Sequence, residues 1–275
     1  MSLTPYDICW FFVVYSLAGW IIEVIFHATV KGKVVNRGFL NGPVCPVYGF
    51  GMIMVLVIYN LIGIDNAFVI FLEGLVFTTL IELFAGFILD KFFHARWWDY
   101  SKMPLNLNGY ICAGFSIIWG LAVVFVIKLV HVFIYRITSA FVPERIGWPI
   151  LMALYVLFIA DTVVTVLTVI GLNKKLEELD RISASLKTMS NRMSDRIGNN
   201  SLKAVQKAQE SAVQAKLGKA EFESELQQRY DTLKASITEH RHFGAGRILR
   251  AFPDIQHRDY KTVIEDLKKR INERK

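Results

Sequence analysis

Asn36-Arg37-Gly38-Phe39-Leu40-Asn41-Gly42-Pro43-Val44-Cys45-Pro46-Val47-Tyr48-Gly49 joins two hydrophobic spans. The stretch holds one cation, two amides, three glycines and two prolines. Glycine permits tight turns and positive φ. Proline removes a backbone donor and breaks a helix. The segment has too much turn chemistry to continue a helix and too much apolar bulk for a solvated loop. Irregular backbone survives at membrane depth only where protein or water satisfies it. The stretch therefore reads as a re-entrant or tightly folded loop over one mouth of a helical bundle.

The flanks supply the bundle. The chain has 275 residues, 53% of them hydrophobic, and its mean hydropathy is +0.38. A soluble domain of this size rarely reads so apolar. The apolar residues fall in runs at about 6–26, 47–64, 67–89, 110–135 and 148–172, near the roughly 20 residues that a bilayer-crossing helix needs. The expected fold is an all-α polytopic integral membrane protein with about five transmembrane helices and a cytoplasmic helical tail.

Charge divides the chain at the same place. Residues 1–172 carry nine Lys/Arg and nine Asp/Glu, whereas residues 173–275 carry 22 and 15, so the whole net charge of +7 lies in the tail. We read 1–172 as the transmembrane domain and 173–275 as a basic cytoplasmic helical tail. With the tail inside, the first and third connections place Lys31, Lys33, Arg37, Lys91, Arg96 and Lys102 inside, against only Arg136 and Arg145 outside. That bias follows the positive-inside rule and orients the chain with its N-terminus outside. No cleavable signal peptide is expected, since no basic region precedes the first run.

The tail has its own pattern. Leu172, Leu176, Leu179, Ile182, Leu186, Met189, Met193 and Ile197 recur at three- and four-residue spacing, as for a coiled coil or for packing on a neighbouring helix. Homodimerisation through this stripe and pairing within the chain both remain open. Gly198-Asn199-Asn200-Ser201 reads as a break, followed by a helix over about 202–237 and a last amphipathic one with Val263, Ile264, Leu267 and Ile271. His240, Arg241, His242, Arg247 and Arg250 form a basic cluster, suited to a surface helix near anionic lipid. No recognisable nucleic-acid-binding module accompanies it.

Polar groups inside or beside the spans carry the functional signal. An intramembrane carboxylate costs roughly 2.5–3.5 kcal/mol at a helix centre, so it should face protein or a wet cavity and find a partner. Glu23, Glu82 and Asp99 can share the tail side of the membrane with Arg37. Guanidinium grips a carboxylate through two parallel hydrogen bonds, so Arg37 pairs with Glu23, with Glu82 or with a ligand. The candidate substrate-binding set is Glu23, Asn36, Arg37, Glu82, Asp99, Tyr100, Asn106 and Asn108. The structural alternative is an Arg–Glu clamp that pins the loop. Residues 91–109, with Phe92, Phe93, Trp97, Trp98 and Tyr100, read as an interfacial aromatic segment. Glu73 and Glu82 fall roughly opposite each other on one helix, and Asp161 is expected to neutralise Lys128. Cys9, Cys45 and Cys112 form no C-x-x-C pair, so neither a zinc site nor a disulfide framework is supported. Cys45 reads as packed and inert, with His27 and His94 as the candidate activators of a nucleophile. No cofactor or metal is expected.

Gly19-Trp20-x-x-Glu23, the run from Asn36 to Gly49, Glu82, Trp98-Asp99-Tyr100-Ser101 and Asn106-Leu107-Asn108-Gly109 together resemble a bacterial family of type IV ABC-transporter permeases, CmpB-like membrane proteins, over about residues 5–170. The resemblance implies a permease-like transport component in a bacterial plasma membrane. Because the chain lacks a P-loop, any ATPase would be a separate subunit, and so few spans imply a dimer. Two other readings stand beside it. One is a membrane-embedded enzyme acting on a lipid or lipid-linked head group, with Glu82 or Asp99 as general base. The other is a scaffold that recruits partners through the tail.

Overall fold

The computed structural model describes residues 3–199, 209–239 and 243–273. Helices dominate: α1 (Pro5–Lys31), α2 (Pro46–Ile62) and α3 (Ala67–Phe93) come first. α4 (Ala113–Phe125) runs through one π-turn at Val126–Val130 into α5 (His131–Phe141). The remaining helices are α6 (Glu144–Asn199), α7 (Gln209–Thr238), α8 (Gly244–Ala251) and α9 (Lys261–Glu273). Four two-residue strands form two antiparallel pairs: β1 (Ala95–Arg96) with β4 (Gln256–His257), and β2 (Asn106–Leu107) with β3 (Ile111–Cys112).

Local chemistry sets the helix ends. Thr4 and Asp7 close a reciprocal capping box on α1, and Gly32 ends that helix in the left-handed conformation at φ 67°, where glycine carries no Cβ penalty. The Asn66 side chain accepts from the Phe68 and Val69 amides at the start of α3.

Among the described residues, four helical runs are long and apolar enough to cross a membrane: α1, α3, Ala113–Thr138 and the first part of α6. The expected count of five is approximate, because α2 is also apolar but has only 17 residues. Its shortness has a geometric cause. The Cys45 amide donates to the Ser16 carbonyl at 2.9 Å, and Ser16 lies about 22 Å up α1 from Lys31 at the helical rise. The loop after α1 therefore folds back along that helix, and α2 starts part-way through the bundle.

Two apolar clusters hold the molecule. One joins α1–α4 through Phe11, Tyr15, Met52, Val55, Leu56, Ile70, Val123 and Ile127. Around it, large side chains such as Ile22, Phe68, Phe84, Leu121 and Val156 point outward, as a lipid-covered surface requires. The second lies at the tail side. Phe93, Ala95, Trp97, Val169, Leu172, Leu176 and Leu179 pack there against Ile237, Ile248, Leu249, Ile255, Ile264 and Leu267. Each fully buried Leu or Ile contributes about 1.5–3 kcal/mol relative to exposure.

That second cluster decides one open question and changes two expectations. The stripe from Leu172 to Leu179 is covered by the chain's own α7–α9, so this part pairs within the chain. The Met193 and Ile197 side chains, residues 200–208 and the His240–His242 part of the basic cluster lie outside the described residues. Trp97 is not at a lipid boundary: it is 5% exposed, with its ring edge-on to Phe39 and Phe252. Arg247 is not on a surface helix either, being 4% exposed.

Candidate functional site: the re-entrant loop and its clamps

The loop between α1 and α2 is stapled by its own amides. Asn36 Oδ1 accepts from Trp20 Nε1 at 2.7 Å and from the Gly38 amide at 2.9 Å, while its Nδ2 donates to the Asn41 carbonyl at 2.7 Å. Farther along, Asp161 of α6 receives the loop. Its carboxylate accepts from the Asn41 amide at 3.1 Å, Asn41 Nδ2 at 2.9 Å and the Gly42 amide at 2.7 Å. Asp161 therefore does not neutralise Lys128. Lys128 pairs with Asp65 in the α2–α3 turn, at the opposite end of the bundle from the tail. The loop's unpaired amides were the nearer demand on Asp161, and spacing along separate spans does not reveal them.

The tail grips the same loop from the other side. Arg247 donates to the Gly38 carbonyl at 2.9 Å, the Phe39 carbonyl at 2.7 Å and Asn41 Oδ1 at 3.1 Å. Asn41 thus bridges a carboxylate on α6 and a guanidinium on α8.

Arg37 points to a third anchor. Its Nε lies 3.6 Å from Glu23 Oε2, its Nη1 donates to the Ala251 carbonyl at 2.7 Å, and its guanidinium sits 5.2 Å from the centre of the Phe252 ring. Tyr48 donates to the other Glu23 oxygen at 2.7 Å and meets Trp119 edge-on at 5.7 Å. Glu82 accepts from the Tyr100 hydroxyl at 3.1 Å, lies beside the Trp119 indole and is within electrostatic reach of Glu23. Burial, then the Glu82 charge and its hydrogen bond, push the Tyr100 hydroxyl well above its ordinary pKa.

Among the sequence-derived candidates, the structure joins Arg37 to Glu23 and Tyr100 to Glu82. It uses the other four in local turn structure. Asn36 staples the loop. Asp99 accepts from the Ser101 amide at 2.9 Å, from the Ser101 hydroxyl and from Gln256 Nε2 at 3.3 Å. Burial raises the Asp99 pKa, but the Ser101 hydrogen bonds, Arg96 and Gln256 outweigh it, and the net shift is downward. Asn106 spans Met103 and Gly109, and Asn108 takes φ 50° and offers its carbonyl to Arg96. Cys45 is buried, while His27 bonds the Lys33 carbonyl and His94 faces Asp259. Among the described residues, no group of three or more His, Cys, Asp or Glu is placed to hold a metal ion.

Sequence reasoning did not single out Tyr48, Trp119, Asn41 or Phe252 for the site. Tyr48 and Asn41 lay within the quoted stretch, and Phe252 followed the basic cluster. Their separation along the chain concealed the convergence.

The sequence model of the family described as "Putative ABC-transporter type IV" matches residues 10–166. The chain belongs to that family. The match takes in most of α1, all of α2 to α5, the re-entrant loop and the first part of α6 with Asp161, and it stops before the tail that carries Arg247. No curated protein and no solved structure matches the chain. The protein is thus a membrane component of ABC-transporter type.

Proposed function

We propose that the protein is the permease-like subunit of a transport system in a bacterial plasma membrane, with its substrate-binding or gating site at the mouth lined by the re-entrant loop. The carrying observation is the joined set Arg37–Glu23–Tyr48, with Trp119, Glu82 and Tyr100 beside it, inside an apolar bundle. Two carboxylates, Glu23 and Glu82, lie within electrostatic reach of each other there, and the single guanidinium, Arg37, pairs with Glu23; the walls are aromatic. That balance favours a cationic or hydrogen-bond-donating group, because carboxylates and ring faces both attract positive charge. In this reading the N-terminus is outside, the tail is cytoplasmic, and the site opens to the cytoplasm. The 1–172 part binds, and the 173–275 part seats the loop. A separate ATPase subunit supplies energy, and two copies assemble to complete a passage.

Native mass spectrometry of the protein in native lipid particles tests this, with wild type beside Arg37→Ala and Glu82→Gln. A co-purified amine-bearing molecule, lost in Glu82→Gln while an ATPase subunit stays bound, is the expected result. No small molecule in any form, together with a poorly folded Arg37→Ala, would reduce the set to a structural clamp.

A further inference from the structure

Glu73 stands apart from everything described so far. It lies on α3, six residues from Ala67, so about 9 Å into the helix at the helical rise. Glu82 lies nine residues beyond it. Glu73 is 5% exposed, and neither of its carboxyl oxygens has a hydrogen-bond partner among the described residues. Its face of α3 turns inward, since Ile70 is fully buried and Gly74 is buried with it. Gly74 is packed so closely on α4 that a Cβ there would sit 2.6 Å from Val123 Cβ. A bilayer would add apolar surroundings to this packing.

The elements packed on this half of α3 bring few charges. α2 contributes Tyr59, an electrostatic neighbour of Glu73. Tyr59 donates to Asp65 at 2.9 Å in the following turn, and Asp65 pairs with Lys128. Lys128 sits in the π-turn at Val126–Val130, directly after the α4 segment that touches Gly74. π-turns of this kind occur frequently at functional sites. Lys128 is thus engaged by Asp65.

An unpaired carboxylate is costly in this setting, and the group neutralises instead of remaining charged. We propose that Glu73 is a membrane-embedded proton-binding site in the half of α3 that adjoins the α2–α3 turn. The ligand is the proton itself, and the site is separate from the loop-centred mouth. The inference does not depend on the transport reading above.

Dicyclohexylcarbodiimide tests it, because this reagent adds to protonated carboxyls in apolar surroundings. Wild-type protein in lipid particles is treated across a pH series, and the modified residue is located by peptide mass spectrometry. The expected result is modification at Glu73, declining as pH rises, with Glu73→Gln unmodified there. An infrared titration of the same protein should show a protonated-carboxyl band at neutral pH that is missing from Glu73→Gln. Glu73 unmodified in the folded protein but modified after unfolding would overturn the proposal. Modification at Glu82 alone would overturn it as well. The peptide map and the infrared titration of wild type keep the test decisive if Glu73→Gln fails to fold.

Discussion

Asp161 shows what one side chain decides. It accepts three hydrogen bonds from Asn41 and Gly42 at membrane depth, and Thr165 of the same helix sits against it at 3.3 Å. Hydrogen bonds to a charged group contribute about 1.5–3 kcal/mol each, and their loss leaves backbone donors unsatisfied. Asp161→Ala should therefore lower the thermal midpoint by several degrees in lipid particles. Asp161→Asn, which keeps one acceptor oxygen, should fall between it and wild type. An unchanged midpoint in Asp161→Ala would mean that the loop is held elsewhere. In the sequence this residue was only an intramembrane charge in need of a partner. Lys128 was the available opposite charge, and the amides that claim Asp161 belong to a segment 120 residues away. Glu23 and Arg37 were more legible, because they sit close in sequence and on one side of the membrane.

At the scale of elements, α8 is the link between bundle and tail. Arg247 reaches the loop carbonyls, Arg37 reaches back to Ala251, and β1 pairs with β4. Arg247→Gln should speed hydrogen exchange over residues 36–42 by at least tenfold, the change that about 1.4 kcal/mol of lost docking produces. The exposed Arg181→Gln serves as the control and should leave that exchange unchanged. His257 gives the same junction a pH dependence. Its Nδ1 accepts from the Asp259 and Tyr260 amides at 3.2 Å each, so protonating that nitrogen opposes both donors. Burial lowers its pKa, with Asp259 opposing and His94 adding to the effect. A histidine depressed in the folded state contributes stability that is present above its unfolded pKa of about 6.5 and is lost as pH falls through the folded value. Hydrogen exchange around Gln256–His257 should accelerate, after correction for intrinsic rates, as pH drops from about 7.5 to about 5.5. A flat profile would remove His257 from control of docking.

For the whole molecule, the tail-side cluster ties residues on both sides of Leu172 into one apolar body. Deleting residues 244–275 would uncover Phe93, Ala95, Trp97 and the Leu172–Leu179 stripe, and would free the loop from Arg247. Large exposed apolar patches promote association. The truncated protein should therefore lose its monodisperse profile on size-exclusion chromatography in mild detergent, whereas wild type keeps it. A monodisperse truncation with unchanged loop exchange would show that the bundle stands without its tail.

The membrane class, the helical character and the special nature of residues 36–49 were legible in the sequence, because hydropathy, periodicity and turn chemistry are local properties. Depth and orientation placed Arg37 on the same side as Glu23 and Glu82, and the tertiary structure selected Glu23. Tertiary structure alone decided which polar groups satisfy which others. Asp161 turned to loop amides, Arg247 was buried against carbonyls from the other end of the chain, and the Leu172–Leu179 part of the heptad-like stripe was covered by α7–α9. Each of those outcomes depends on where the tail returns to the bundle. That return is driven by apolar area shared among distant segments, and it leaves no periodic signature at any one of them.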